Sequence, residues 1–392
     1  MKLIQWSEGY DSKGVGGGPS HLNNLVSNTQ EYKTLIIGNR LPGQIAIEEI
    51  DENTNFLRFP IKANFVTNPK YLQSKKSLYP FKLIHELQTI NSKFNYLNTI
   101  NFDILHVHGI KFYPTLRNIN TWTKLEVYQH MLDFSKIKVP KILTVHNFLP
   151  GFTNNSEIVN LYNYYLDQFD NIICVDRQIF DYCRDYCNGN GYHKKIWYIP
   201  NSIDTQIFSY KAPDLGKNLK LGFVGRLAET VDLDIINFLI ENLPNDVDFY
   251  LAVSGDISLI KIPNHKKEQI KILQDVPNNG MPDFYHSVDV VFNPVIHSGL
   301  TRVNIESMSC GRPVLIYNNQ DRDPAFFNDT NTFFTNKNDV LEKVKEIQKD
   351  MHRVHQFGIK SRKTIETNFS NSIIIPRVKD IYKEIISSYE RN

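Results

Sequence analysis

Cysteine is scarce in this sequence, with only four residues in a chain of 392. They are Cys174, Cys183, Cys187 and Cys310. Cys183 and Cys187 stand one helical turn apart, but no second pair and no histidine run completes the spacing of a zinc site. We therefore expect free buried thiols in a reducing compartment and no metal centre.

Long apolar segments and an excess of one charge are missing too. No window approaches roughly 18 uninterrupted apolar residues, so we expect no transmembrane helix. The first residues, MKLIQWSEGYDSKG, lack the apolar core of a signal peptide. The formal net charge of +2 provides no electrostatic footprint for nucleic acid. These absences predict a cytoplasmic protein.

The common phosphate-binding fingerprints are absent as well. GVGGGPSHLNNLV begins at Gly14, and a dinucleotide fingerprint counted from there requires glycine where Pro19 stands. These glycines also begin roughly eight residues beyond the first apolar run, whereas the fingerprint follows its strand at once. A glycine-rich loop before a helix still lets backbone amides approach an anion or a sugar closely. A plain flexible connection is the alternative.

What is present is an alternation of short β-rich runs with amphipathic stretches. The runs include KLIQW at the N-terminus, FDILHVHG at 102–109, LKLGFVG at 219–225 and VDVVFNP at 288–294. Helix-like segments such as SEIVNLYNYYLDQF and LDIINFLIENL lie between such runs. This alternation predicts βαβ units and parallel sheets, and therefore an α/β fold.

A linker-like stretch, SYKAPDLGKN at 209–218, interrupts the alternation, which then starts again. We predict a first α/β domain over 1–204 and a second over 205–370. The remaining residues, 371–392, contain an amphipathic helix that we expect to pack back on the first domain.

The region 61–96 differs from its surroundings because it mixes lysines with aromatic residues and leucines. A basic amphipathic segment of this kind can lie on an anionic membrane surface. The alternative is an ordinary helical hairpin with a solvated lysine face.

Three histidines stand at the ends of predicted strands: His106, His108 and His146. Ligands of open α/β sheets bind outside the carboxyl ends of the strands. His106 and His108 share one face of a strand, and we expect one in the core and the other exposed. His108, which precedes Gly109, is the candidate for a site, with a structural role as the alternative.

In the second half, Arg226 follows the strand GFVG and suits a phosphate through its bidentate fork. A surface ion pair is the alternative. The stretch HSGLTRVNIESMSCGRPV at 297–314 predicts a helix that begins near Thr301 and stops at Gly311. Its first amides suit an anion. Glu306 lies about two turns along, and an Arg302–Glu306 helix ion pair is the alternative for it.

These pieces together resemble the retaining glycosyltransferases of family 4, which have the GT-B fold. The resemblance rests on an ordered set that runs from residue 14 to about 316. The set is GVGGG, DILHVHG, ILTVHN, YIPNSID, GFVGRL, MPDFYHSVDVVFNP and SGLTRVNIESMSCGRPV. It implies two Rossmann-like α/β domains that face each other across a cleft.

The resemblance also implies a metal-independent enzyme, hexosyl- or pentosyl-transferring, that needs no cofactor. Its donor would be a nucleoside-diphosphate sugar of UDP or GDP type, and its acceptor would be a glycan or a lipid-linked molecule. His108, Arg226 and Glu306 would be the catalytic residues. The donor would contact Gly16, Gly17, Gly18, Arg226, Val276, His297, Ser298, Gly299, Leu300, Thr301 and Glu306.

The sequence departs from the family pattern at two charged positions. The first acid of the usual Glu-x7-Glu pair is Ser298 here, and the usual lysine after the Gly-Arg pair is Val231. His297, Lys217 or Lys220 are the candidates that could compensate. Two competing hypotheses follow: a catalytically degenerate member that binds nucleotide or glycan as a partner subunit, and another two-domain enzyme such as a dinucleotide oxidoreductase.

Overall fold

The computed structural model describes residues 1–7, 17–40, 45–60, 79–109, 133–146, 156–214, 216–227, 231–295, 300–317 and 332–391. The chain divides into two compact units. The first unit comprises Met1–Val175, Ile179–Ile199 and Arg377–Asn392, and the second comprises Asp176–Gln178 and Pro200–Pro376.

The first unit contains an eight-stranded sheet. Its strands are β1 Lys2–Trp6, β2 Lys33–Arg40, β3 Ile47–Asp51, β4 Thr54–Pro60, β5 Ile104–His108, β6 Lys141–Val145, β7 Asn171–Cys174 and β8 Lys195–Tyr198. The order is β3-β4-β2-β1-β5-β6-β7-β8, with every described pair parallel except β3–β4. The helices are α1 Gly17–Ser27, α2 Tyr79–Leu97, α3 Ser156–Asp167 and α4 Arg177–Gly189.

The central strands of this sheet are buried on both faces. Every residue of β5 and β7 is buried, as expected where helices cover both sides of a parallel sheet. His106 is 1% exposed and His108 is 5% exposed. The expectation that one of this pair is exposed is therefore wrong. β5 is a central strand, and its last residue, His108, is covered as well.

The second unit contains a six-stranded sheet in which all pairs are parallel. Its strands are β9 Leu219–Leu227, β10 Val247–Gly255, β11 Ile270–Gln274, β12 Val290–Asn293, β13 Val314–Tyr317 and β14 Thr332–Phe334. The helices are α5 Leu233–Asn242, α6 Met281–His286, α7 Arg302–Ser309, α8 Lys337–Lys349 and α9 Met351–Asn368. The order β11-β10-β9-β12-β13-β14 is the doubly wound order of a Rossmann fold.

Each sheet has one place where the direction of strand addition reverses. In the first unit it lies between β1 and β5, and in the second between β9 and β12. A crevice opens there outside the carboxyl ends of the strands. The predicted α/β fold with two Rossmann-like sheets is confirmed, and these two places are where sites are expected.

The C-terminal helix, α10, runs from Asn371 to Tyr389. Its residues from Arg377 onward belong to the first unit. Tyr382 is fully buried there, and its hydroxyl lies 3.2 Å from Gln5 Nε2 and 2.7 Å from His106 Nδ1. The last residues of the chain therefore complete the core beneath the centre of the first sheet.

A buried arginine fixes the segment after α6. Arg312 is 0% exposed, and its guanidinium donates to the carbonyls of Tyr285, Val288 and Lys211 at 2.6–3.0 Å. Burial lowers the pKa of Arg312. The preceding residue, Gly311, has φ +76°, which favours glycine. It ends α7 as predicted from the sequence.

The region 61–96 is described only from Tyr79, where α2 begins. Lys93 lies in α2 and is fully buried, and its Nζ donates to Asn39 Oδ1 at 2.7 Å. At this position, then, the lysine does not belong to a solvated or membrane-facing side. Among the helices in the described ranges, none is long and apolar enough to cross a membrane.

Candidate functional site

The candidate site of the second unit lies at its switch point, at the carboxyl ends of the neighbouring strands β9 and β12. Arg226 is the eighth residue of the nine in β9, and Asn293 is the last residue of β12. Helix α7 begins at Arg302, after its N-cap residue Thr301, which lies eight residues beyond Asn293. The elements that the sequence predicted to hold an anion are therefore brought to one edge of one sheet.

Asn293 fixes the start of α7. Its Nδ2 donates to Thr301 Oγ1 at 2.9 Å and to Asn304 Oδ1 at 2.5 Å, and its side chain is buried. Thr301 Oγ1 in turn accepts from the backbone amide of Asn304 at 3.3 Å. This side-chain cap consumes one of the free amides of the helix start and holds the others in place.

The loops that follow β9 and β12 are joined to each other. Val231 and Val295 form an isolated antiparallel bridge, and Asp232 N donates to the carbonyl of Pro294 at 3.2 Å. Asp232 also caps α5 by accepting from Ile235 N at 3.0 Å. Val231 is only 7% exposed, so its side chain is turned into the core.

Arg226 is the exposed cation of the site. Among the described residues, no hydrogen bond or ion pair to its guanidinium is found. Its neighbour across the sheet is Ser254, and Gly255, at φ +102°, lies against its side chain. The ion-pair alternative for Arg226 therefore has no partner in the described ranges, and the fork of donors is available to an anion.

Glu306 is held in position from two sides. Arg302 Nε donates to its Oε1 at 3.0 Å, and the Tyr285 hydroxyl donates to its Oε2 at 2.9 Å. Burial, followed by the charge of Glu306, raises the pKa of Tyr285 well above its ordinary value, so the phenol keeps its proton. The Arg302–Glu306 ion pair, which was the alternative for Glu306, is present. Because a carboxylate has about four acceptor positions, two remain for a ligand.

Arg302 also carries a donor that local sequence patterns gave no reason to single out. Its Nη1 is buried and has no hydrogen-bond partner in the described part of the chain. A buried, unsatisfied guanidinium nitrogen is costly unless a ligand accepts from it. It lies one residue after the N-cap of α7, beside the anion site.

The other predicted donor contacts divide into three groups. Val276 is half-buried and lies two residues beyond the end of β11, at the same edge of the sheet. Leu300 is buried and precedes the cap of α7. Four predicted positions lie outside the described residues: Gly16, His297, Ser298 and Gly299.

Lys217 and Lys220 do not lie near Arg226. Lys217 precedes β9, and Lys220 is its second residue, with its amide donating to Asp289 Oδ2 at 2.8 Å. Six residues of extended strand separate Lys220 from Arg226, or about 20 Å. The expectation that one of these lysines replaces the missing cation is wrong, because they stand at the amino end of the strand.

The first unit has a different arrangement at its own switch point. His108, at the end of β5, places Nε2 2.7 Å from Gln5 Oε1. The Tyr382 hydroxyl joins Gln5 to His106, and His106 Nε2 lies 2.6 Å from Thr144 Oγ1. Burial lowers the pKa of His106 to about 3 and that of His108 well below its ordinary value. Both rings are neutral.

The glycine-rich stretch opens a helix, as predicted. Gly17 and Gly18 are the first two residues of α1, and a Cβ on Gly18 would meet nothing within 4 Å. His21, in the second turn of α1, places its ring 5.8 Å from that of His108 between centroids. Sequence reasoning missed His21 and Gln5. Only Gln5 had a signal, as a polar residue inside the apolar run KLIQW.

Comparisons with known proteins agree with this geometry. Residues 218–351, which hold the sheet of the second unit, match the family model described as glycosyl transferases group 1. No curated protein matches the chain.

Solved structures match nearly the whole chain at low identity. Sucrose-phosphate synthase from Thermosynechococcus elongatus has a TM-score of 0.73 at 13% identity, with 99% of each chain covered. HepE from Anabaena, in complex with UDP-glucose, has a TM-score of 0.68 at 14% identity, with 99% of this chain and 100% of that chain covered. The trehalose 6-phosphate synthase from Burkholderia multivorans has a TM-score of 0.67 at 13% identity, with 99% of each covered. The chain therefore has the GT-B fold.

Proposed function

We propose that this protein is a glycosyltransferase that moves a sugar from a nucleoside-diphosphate donor to a glycan or lipid-linked acceptor. The second unit would bind the donor, with UDP or GDP as the nucleotide. Transfer would proceed with retention and without a metal ion at the diphosphate. The similarity of residues 218–351 to group 1 glycosyl transferases supports the assignment of the donor to this unit.

The observation that carries the proposal is Arg226 at the switch point of the second sheet, exposed and without an ion-pair partner among the described residues. A dianionic diphosphate placed there would accept from its guanidinium and from the free amides at the start of α7. The buried Nη1 of Arg302 would supply one more donor. These groups would stabilise the charge that develops on the leaving diphosphate, which is the role that a metal ion plays elsewhere.

Glu306 would accept from the ribose hydroxyls through the positions that Arg302 and Tyr285 leave open. Val276 would contact the base through its backbone. In the first unit, His108 and the glycines at the start of α1 would serve the sugar and the acceptor. UDP is the nucleotide tested first, because structurally similar HepE is in complex with UDP-glucose.

A thermal-shift series with UDP-, GDP- and ADP-sugars tests the proposal. A ligand present at about 100 times its Kd stabilises the folded state by about 2.7 kcal/mol, which is read as a rise in melting temperature. We expect a selective rise with one nucleotide. If none of the three produces a rise, the proposal is wrong.

Calorimetry on Glu306→Ala tests the ribose assignment separately. Loss of a charged acceptor is expected to weaken nucleotide binding by about 10- to 100-fold. Glu346→Ala is the matched control, because Glu346 is an exposed acid of α8 in the same unit. Unchanged affinity in Glu306→Ala would remove this residue from the site while leaving the donor proposal intact.

A second candidate function is a catalytically degenerate protein that binds nucleotide or glycan as a partner subunit. It is favoured by Val231, which is buried and bridged to Val295 at the position where the family pattern that the sequence resembles has a lysine. The purified chain would then bind a nucleotide sugar without turning it over. Release of free nucleotide from any donor, with or without acceptor, would exclude this candidate.

A further inference from the structure

Three histidines that are far apart in sequence meet at the switch point of the first sheet. His21 lies in α1, His108 ends β5 and His146 follows the last residue of β6. One ring nitrogen of each lies within 4.8 Å of the others. The ring centroids of His21 and His146 are 4.8 Å apart, and those of His108 and His146 are 5.9 Å apart.

This spacing is close to what a transition-metal ion requires. Zinc–nitrogen bonds of about 2.0–2.1 Å in tetrahedral geometry place the ligand atoms about 3.3 Å apart. His21 and His146 are half-buried, so small rotations of these two rings can bring the nitrogens together. His108 is 5% exposed and is the fixed member of the group.

The hydrogen bonds of His108 set which of its nitrogens can bind a metal. Gln5 Oε1 accepts at 2.7 Å, so His108 Nε2 carries the proton and Nδ1 has the lone pair. His108 Nδ1 is buried and has no hydrogen-bond partner within the described ranges. Metal-binding histidines characteristically donate their second nitrogen to an oxygen in this way.

Gln5 is itself held in that orientation. Its Nε2 donates to the Tyr382 hydroxyl at 3.2 Å, and Gln5 and Tyr382 are both fully buried. Tyr382 then donates to His106 Nδ1 at 2.7 Å, which leaves His106 Nε2 to donate to Thr144. With Gln5 in this orientation, the bonds from Thr144 to His108 are compatible with a lone pair at His108 Nδ1.

We propose that His21, His108 and His146 form a binding site for one transition-metal ion of the zinc type. Three imidazoles, with no carboxylate in the cluster that the described residues form, select zinc, cobalt, nickel or copper over magnesium, calcium or manganese, which prefer oxygen ligands. Three ligands leave a fourth position for water or a substrate oxygen. The site is formed within the first unit, and testing it does not depend on the diphosphate site proposed for the second.

Metal titration of the untagged full-length chain, after treatment with a chelator, tests the site directly. We expect one equivalent of Zn²⁺ to bind by calorimetry, and Co²⁺ to give the visible absorption of a four-coordinate ion. Mg²⁺ should not bind there. These readouts need no nucleotide, so they fail or succeed separately from the proposed function.

Single variants assign the ligands. His21→Ala and His146→Ala are each expected to abolish the cobalt absorption, and both positions are half-buried, so the fold should tolerate the change. Gln5→Leu is expected to weaken zinc binding by about 10- to 100-fold, the effect of losing an outer hydrogen bond to a ligand. His193→Ala is the matched control, because this exposed histidine of the first unit lies outside the cluster.

The outcomes are decisive in either direction. Loss of the cobalt absorption in His21→Ala and in His146→Ala, with His193→Ala unchanged, supports the site. Absence of Zn²⁺ binding by the unmodified chain overturns it. Binding of undiminished affinity in both His21→Ala and His146→Ala overturns it as well, and the histidines would then contact substrate without a metal.

Discussion

The two units place chemically opposite groups at equivalent positions of similar sheets. At the switch point of the first sheet the side chains are neutral imidazoles joined through Gln5 and Tyr382. At that of the second sheet they are the exposed Arg226 and the Arg302–Glu306 pair. The same topology therefore provides only the crevice, and the residues at the strand ends decide what binds there.

The buried residues that support the two sites differ in charge as well. The first unit uses uncharged hydrogen bonds between its central strands and α10, whereas the second unit buries the cation Arg312 among backbone carbonyls. Substituting a buried charged residue lowers stability strongly, because its removal leaves several carbonyls unsatisfied. We therefore expect substitution of Arg312 in the second unit to lower the free energy of unfolding more than substitution of Tyr382 in the first.

Arg312→Leu should have the largest effect. It deprives the carbonyls of Tyr285, Val288 and Lys211 of their donor and should lower the free energy of unfolding by about 3–5 kcal/mol. Urea unfolding measures the loss. The exposed Arg353, on α9 of the same unit, is the control, and Arg353→Leu should change stability by less than about 0.5 kcal/mol.

Arg226→Ala should have the second-largest effect, and it should change nucleotide binding. Losing a charged donor to the diphosphate is expected to cost about 1.5–3 kcal/mol, a decrease of about 10- to 100-fold in nucleotide affinity by calorimetry. The melting temperature without ligand should not change, because Arg226 is exposed. Arg353→Ala should bind nucleotide normally. Equal loss in both variants would mean that general positive charge, not Arg226, binds the ligand.

Tyr382→Phe tests the neutral support of the first unit. It leaves Gln5 Nε2 and His106 Nδ1 without the hydroxyl between them and should lower the free energy of unfolding by about 1–3 kcal/mol. Tyr389→Phe is the control on the same helix, because Tyr389 is 52% exposed and its hydroxyl donates only in an exposed contact, to the carbonyl of Lys138. If both variants unfold at the same urea concentration, the network contributes no net stability.

Thr301→Ala should have the smallest effect. It removes the N-cap of α7 and one partner of Asn293, at a cost of about 1 kcal/mol. Thr301→Ser keeps the oxygen and should restore most of that stability. If nucleotide affinity also falls in Thr301→Ala under conditions where the variant is fully folded, then the orientation of the helix start matters for binding.

Much of the fold was predictable because its local signals agree. The apolar runs that predicted strands coincide with β1, β5, β9 and β12, and Gly311 ends its helix where the pattern placed it. The sequence did not predict β3, β4 or β14. β3 has no buried residue and β14 has only three residues, so neither shows the periodicity of a buried strand.

The sites were predictable only where they are local. Arg226 and Glu306 follow recognisable strand–turn–helix patterns, and the structure brings both to the second sheet's edge. The bond between Gln5 and Tyr382 joins positions 377 residues apart, and no local pattern indicates it. His21 reaches His108 and His146 only once α1 is packed on the sheet.

The membership of α10 has a consequence for the order in which the protein is made. The first unit includes Arg377–Asn392, so its sheet, although synthesised before that of the second unit, lacks a buried part of its core until these residues are made. Until then Gln5 and His106 have no hydroxyl from Tyr382. The second unit, which is nearly continuous in sequence, can finish folding earlier. The domain that is translated first is thus the domain that matures last.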